Sequence, residues 1–258
     1  MRHQLALAVK GILYGRRGEP YSFAGHRLRF VPGTRPIRLR HTNSNNWVNR
    51  YDALQIEWLA SHLGCGDVAF DIGASAGTVT VLMAALCSQS GHVTAFEPNK
   101  TSCDIIAKNF ALNSSLRLPK IERLACSDYE GEAVLHCAWE GDCNAALVPS
   151  DERTMRTSVP VVTLDAYFSR THLHPSCVKI DVEGAEVRIL KGARRLLSGQ
   201  ASIICELHPY AWPAFGNTFE EMVALVKEHG RELRYLGEKT IASTPHYGIV
   251  ELLRMGRS

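Results

Sequence analysis

From Val68 onward, short apolar runs alternate with segments of helical periodicity, and no other feature restricts the fold so far. Residues 68–72 form an apolar run that meets a glycine loop. Residues 78–87 are apolar on nearly every side and long enough for a buried helix. A second strand over 92–96, an amphipathic helix over 101–112 and a third strand over 121–126 follow. Further on, 177–180 reads as a strand, 185–197 as a helix stopped by Gly199, and 203–207 as a strand. Thr218 with Glu221 forms a capping box that opens a helix to His229, closed by Gly230. Strands over 233–236 and 249–253 complete the series. Strands that alternate with helices bury both faces of a mostly parallel sheet, so the expected class is a doubly wound α/β fold. One interval breaks the rhythm. Residues 133–138 and 159–164 each alternate like a strand and are joined by a polar loop, which predicts an inserted β-hairpin.

The chain divides on this reading into an accessory region, 1–65, and a cofactor-binding domain, 66–258. In the first region, 26–31 alternates like an edge strand and ends at Pro32-Gly33. Leu54, Ile56, Leu59 and Leu63 recur at helical spacing before Gly64. The apolar stretch 4–9 is cut by Lys10 and followed by Arg16 and Arg17. It is too short and too charged to cross a bilayer, and is expected to pack on the domain rather than on a membrane surface. A net charge of +3 gives no concentrated basic stripe, so nucleic acid is not an expected partner. Arg35, Arg38 and Arg40 are expected to form a solvated face. None of the eight cysteines stands in a C-x-x-C pair, and several, Cys177 and Cys205 among them, sit in apolar runs. Free buried thiols suit a reducing compartment, so a cytoplasmic location is expected.

The first strand-to-helix turn reads Phe70-Asp71-Ile72-Gly73-Ala74-Ser75-Ala76-Gly77. Its glycines permit a sharp turn and a close approach of backbone to ligand. In open α/β sheets such a loop floors the ligand crevice. A dinucleotide fingerprint would need glycine at 75 and 78, where Ser75 and Thr78 stand, so a nicotinamide-dependent oxidoreductase is the weaker alternative. Asp71 would repel a pyrophosphate but could engage an ammonium group, directly or through water. The second strand ends in Glu97-Pro98, with Glu97 26 residues after Asp71. An acid there can accept both hydroxyls of a ribose. S-adenosylmethionine carries a ribose and an ammonium group and no phosphate.

Val178-Lys179-Ile180-Asp181-Val182-Glu183-Gly184-Ala185-Glu186, running into Ile189-Leu190-Lys191-Gly192-Ala193, resembles the hallmark of the FkbM-like methyltransferases. Ser127-Asp128 with Gly131, the stretch 161–165, and Cys205-Glu206-Leu207-His208 agree with it. The resemblance covers roughly 66–210. It implies a class I, Rossmann-like methyltransferase that uses S-adenosylmethionine to methylate a hydroxyl of a sugar, glycan or secondary metabolite. It further implies that Asp71, Gly73, Gly77 and Glu97 contact the cofactor, with Ser127 and Asp128 near the adenine and Asp181 at the methionine end; Ala74 and Pro98, beside these residues, are expected to share the cofactor site. A cofactor-binding interaction module without turnover is the remaining alternative.

The residues themselves place the chemistry at the carboxyl edge. Asp181 and Glu183 end one strand; Glu206 and His208, two apart and so on one face, end its neighbour. His208, with an ordinary pKa of about 6.5, is the first candidate for general base. Asp181 or Glu206 would orient it, or serve as base if raised by burial. Glu183 and Glu186 can also act simply as acids at a helix N-terminus. Asp181, Glu206 and His208 offer oxygen and imidazole ligands, yet no ligand spacing demands a metal and none is expected. Trp47, Tyr51, Trp139, Tyr210 and Trp212 are candidate walls for the acceptor.

Overall fold

The computed structural model describes residues 10–34, 47–138, 146–147 and 155–256. The stretch 4–9, the arginines at 35, 38 and 40, Trp139, and the side chains of Trp47 and Tyr51 lie outside the described residues. Seven strands form the central sheet: β3 (Val68–Ile72), β4 (His92–Phe96), β5 (Lys120–Glu122), β9 (Cys177–Ile180), β10 (Ser202–Leu207), β11 (Arg231–Tyr235) and β12 (Gly248–Arg254). Their order is β11-β12-β10-β9-β3-β4-β5. All pairings are parallel except those of β12, which runs antiparallel to both β10 and β11. The chain builds outward from β3 in one direction and then from β9 in the other. The switch point therefore lies between β3 and β9, and a crevice opens there at their carboxyl ends.

Both faces of the sheet are covered, as the apolar runs require. On one face Phe70, Ile72, Phe96, Val178 and Ile180 pack with Leu190, Leu197 and Met222 of the helices after β9 and β10. On the other, Ala69, Val93 and Ala95 pack with Val81 and Leu82 of α2 (Thr78–Cys87) and Ile106 of α3 (Lys100–Ala111). Asn99 caps α3, its side chain accepting from the N–H groups of Thr101 and Ser102. The same cluster takes in Phe30 and Tyr21 from a two-stranded hairpin, β1 (Glu19–Phe23) and β2 (His26–Phe30), together with Leu59 of α1 (Trp47–His62). Only the second strand of that hairpin is expected from the sequence.

Two elements read as continuous are broken. The stretch 121–126 splits into β5 of the main sheet and β6 (Ala125–Cys126) of a second sheet. There β6 pairs parallel with β8 (Met155–Val162), which pairs antiparallel with β7 (Gly131–Cys137), in the order β6-β8-β7. The hairpin is thus part of a three-stranded sheet. The helix expected over 185–197 divides into α5 (Glu186–Lys191) and α6 (Arg194–Ser198). The cause is Asp165, whose carboxylate oxygens accept from the N–H groups of Arg194 and Arg195, both at 3.0 Å, and so start a new helix. Asp165 itself lies on α4 (Leu164–Thr171), which follows β8 directly. Leu164, Tyr167 and Phe168 of α4 are buried at helical spacing, but the preceding β-like run hides that period.

Candidate active site

The glycine loop is pressed into the sheet from above. Gly73 and Ala74 both donate their N–H groups to Phe96 O at 3.0 Å. Gly73, Ser75 and Gly77 all have positive φ, at 77°, 48° and 76°. A Cβ on Gly73 would collide with the Asp181 carbonyl oxygen, and one on Gly77 would lie 2.8 Å from Ile106 Cγ1. These glycines are therefore required by packing against β9 and α3, where the sequence suggests approach to a ligand. The strained turn aims the Ser75 N–H at Glu97 Oε2, 2.7 Å away, while Asn99 N–H donates to Glu97 Oε1 at 2.8 Å. Burial pushes the Glu97 carboxyl up to about 7, despite these two bonds and the nearby Lys179.

Beneath the loop lies a charged group. Asp71 and Lys179 are register partners across β3 and β9 and share a face of the sheet. Asp71 is fully buried. Its Oδ2 accepts from Thr80 Oγ1 at 2.6 Å, and its Oδ1 lies 3.3 Å from Lys179 Nζ. That ammonium also donates to Gly73 O at 3.0 Å and pairs with Asp181 Oδ2 at 3.2 Å. Burial alone would lower the Lys179 pKa, but the charges of Asp181 and Asp71 outweigh it and raise it.

Over the switch point is a cavity of about 260 Å³. Gly73, Ser75, Glu97 and Pro98 form one end. Phe96, Leu124, Leu135 and Leu147 give it an apolar wall, and Asp181, Glu183 and Glu206 line its acidic end. Glu183 is held at a positive φ of 55°, an uncommon conformation that is worth notice beside a cavity.

Behind the acidic end sits a histidine–carboxylate pair. Glu186, fully buried, accepts from Gly184 N at 2.9 Å and from Trp212 Nε1 at 2.6 Å, and its Oε1 stands 2.7 Å from His208 Nδ1. His208 Nε2 faces Glu183 Oε1 at 3.8 Å and Asp181 Oδ1 at 3.9 Å. Burial alone would lower the His208 pKa, but the Glu186 hydrogen bond and the charge of Asp181 push it up to about 9. Glu206, raised to about 7 by burial and by Asp181, accepts a hydrogen bond from the Tyr247 hydroxyl. Tyr210, well exposed, packs edge-on against the His208 ring.

Strand order, glycine loop and acidic edge meet in one crevice, and comparison with known proteins identifies the chain that builds it. A model of the FkbM methyltransferase domain matches residues 71–233. The chain belongs to the FkbM methyltransferase family. A hexuronic acid methyltransferase, AglP of Haloferax volcanii, is 28% identical over 151 residues, covering 55% of this chain and 56% of that protein. The chain thus matches little more than half the length of this relative. Among solved structures, a precorrin-6y C5,15-methyltransferase of Geobacter metallireducens superposes with a TM-score of 0.48 at 13% identity, over 86% of this chain and 98% of that one. A putative rRNA methylase of Clostridium thermocellum gives a TM-score of 0.49 at 12% identity, over 84% and 100%.

Within this FkbM domain the expected site residues separate into two sets. Gly73, Glu97, Pro98, Asp181, Glu183 and Glu206 line the cavity. Asp71, Ala74, Gly77, Ser127, Asp128 and His208 do not line it. Asp71 is sealed below the loop by Thr80 and Lys179, so it holds the floor together instead of meeting an ammonium group. Ser127 is buried and donates to Asp128 Oδ1 at 3.1 Å; Leu124, Ala125 and Cys126 stand at the wall in their place. His208 differs from the expected free base, since its Nδ1 is committed to Glu186 and its raised pKa keeps it protonated at neutral pH. Trp212 is buried against Glu186 and forms no acceptor wall. The sequence pattern marks no role for Lys179 or Tyr247, and for Glu186 only that of an acid at a helix end. A lysine between Val178 and Ile180 in a central strand was the available signal, because a buried ammonium needs partners.

Proposed function

We propose that this protein is an S-adenosylmethionine-dependent O-methyltransferase acting on a sugar hydroxyl, with a uronic acid of a glycan as the first candidate acceptor. Glu97 carries the reading. It lies at the carboxyl end of β4, next to the switch point, and lines the cavity. Each of its oxygens already receives one backbone N–H, and each can accept a further hydrogen bond. Two ribose hydroxyls fit that capacity. The apolar wall of Phe96, Leu124, Leu135 and Leu147 suits a flat base, and the acidic end suits the ammonium group.

S-adenosylmethionine held here would supply a sulfonium methyl group, and its sulfur would keep the electron pair of the C–S bond given up to the acceptor oxygen. What the chain must add is alignment of the acceptor oxygen and a destination for its proton. Alignment alone can lower a barrier by about 7–11 kcal/mol. The proton has three cavity-lining carboxylates within reach of the acidic end, Asp181, Glu183 and Glu206. The hexuronic acid named for the Haloferax relative supports a sugar acceptor, and exposed Tyr210 offers a ring on which a sugar face can rest. The test is calorimetry with S-adenosylhomocysteine, followed by transfer of labelled methyl to uronic-acid and neutral glycans. Absence of S-adenosylhomocysteine binding would sink the cofactor reading. Binding without methylation of any sugar hydroxyl would sink the acceptor class.

A further inference from the structure

The acidic end of the cavity gathers more donor atoms than its own side chains satisfy. Lys179 engages Asp181 through Oδ2, which leaves Oδ1 toward His208. Tyr247 engages Glu206 through Oε1, which leaves Oε2. His208 is 98% buried by its 2% exposure, and its Nδ1–H donates to Glu186; a cation at Nε2 would displace the second proton that the imidazolium carries there. Its Nε2 makes no hydrogen bond among the described residues. The carboxylate oxygens it faces, at 3.8 and 3.9 Å, are too distant for one. They are at the separation of atoms that share a partner between them. One ligand atom each from Asp181, Glu206 and His208 lies within 4.8 Å of the other two. Ligands of a six-coordinate ion with bonds of roughly 2.1 Å stand about 3–4.2 Å apart, a span that small side-chain rotations would reach.

We propose that Asp181, Glu206 and His208 Nε2 bind one divalent cation, Mn²⁺ or Mg²⁺, at the acidic end of the cavity. Two carboxylates and one imidazole, with no thiolate, suit these ions. Glu186 completes the arrangement: a metal-bound histidine hands its other ring N–H to a carboxylate, which orients the ring and fixes the tautomer. Trp212 and the Gly184 N–H hold that carboxylate in turn. Spacing along the chain argues for no metal, because Asp181 and His208 come from different strand ends; the sheet brings them together. With three protein ligands such an ion would keep other coordination positions open, and an acceptor hydroxyl bound at one of them would lose its proton more readily. That role rests on the methyl-transfer reading; the site itself does not.

The experiment is titration of the purified chain with Mn²⁺, followed by the paramagnetic resonance signal of the free ion, beside melting measurements with S-adenosylhomocysteine. The wild type is expected to hold one Mn²⁺, displaced by Mg²⁺. Glu206→Gln and His208→Gln should each weaken it at least tenfold while S-adenosylhomocysteine still raises the melting temperature. Spin-echo modulation from an imidazole nitrogen on bound Mn²⁺ tests the same ligand in the wild type, so a variant that fails to fold does not stop the test. No binding at millimolar Mn²⁺, no nitrogen modulation, or unchanged affinity in both variants would overturn the site and leave His208 as an imidazolium among carboxylates. Mn²⁺ binding without S-adenosylhomocysteine binding would overturn the methyl-transfer reading and spare the cation.

Discussion

At the scale of single residues, Glu97 and Lys179 carry the clearest consequences. Glu97 titrates near 7 in the folded chain, above its ordinary 4.5. Its folded pKa is raised, so its contribution to stability is fully present below about 4.5 and is lost as pH rises toward 7. On the proposed reading ribose hydroxyls would donate to the ionised form, so cofactor binding would run the other way. S-adenosylhomocysteine affinity should fall as pH drops from 8 to 6, approaching tenfold per unit below the pKa, and Glu97→Gln should flatten that dependence in calorimetry. Glu97→Ala should weaken binding by about 1.5–3 kcal/mol, the range for hydrogen bonds to a charged group. Affinity unchanged in Glu97→Ala would remove Glu97 from the site. Lys179 gives a stability prediction. Lys179→Met leaves Asp71, fully buried, with Thr80 but no counter-ion. Denaturant unfolding should register a loss of about 3–5 kcal/mol, the cost of breaking a buried pair on one side.

At the scale of elements, the glycine loop is a packing device before it is a ligand site. Gly73→Ala would set its Cβ against the fixed Asp181 carbonyl, whereas Gly77→Ala meets the side chain of Ile106, which can shift. Both positions also carry positive φ, near 77° and 76°. Gly73→Ala should therefore lower the melting temperature more than Gly77→Ala, measured without ligand. Equal losses would mean that backbone conformation, shared by both, outweighs the collision. The breaks at 123–124 and 192–193 belong to this scale too. The sequence pattern runs straight through both, because apolar periodicity reports what faces the core and not which neighbour supplies the hydrogen bonds. Asp165 starts α6 from outside the segment, and β8 draws β6 away from the main sheet.

At the scale of the molecule, the described part of the first 65 residues shares a core with the sheet. Phe30, fully buried, and Leu59 pack in the cluster that holds Ala69 and Val93. Phe30→Ala should cost about 3–5 kcal/mol and shift the unfolding of the whole chain. A separate early transition by calorimetry would instead mark the N-terminal region as an independent unit. What the sequence determined alone follows from local period and side-chain type. The alternation of apolar runs gave a doubly wound sheet. Ser75 and Thr78, standing where glycines would be needed, excluded a dinucleotide fingerprint, and the 178–193 block pointed to the family that the domain match established. The tertiary structure decided which polar groups meet. Asp71 reads as an acid that meets a ligand ammonium yet is sealed by Lys179 from the neighbouring strand. Glu186 reads as a helix-end acid yet is the buried partner of His208, 22 residues later. The reason is physical: periodicity records burial, which each residue expresses by its own type, whereas a buried charge is defined by partners that only the closed sheet brings within 3 to 4 Å.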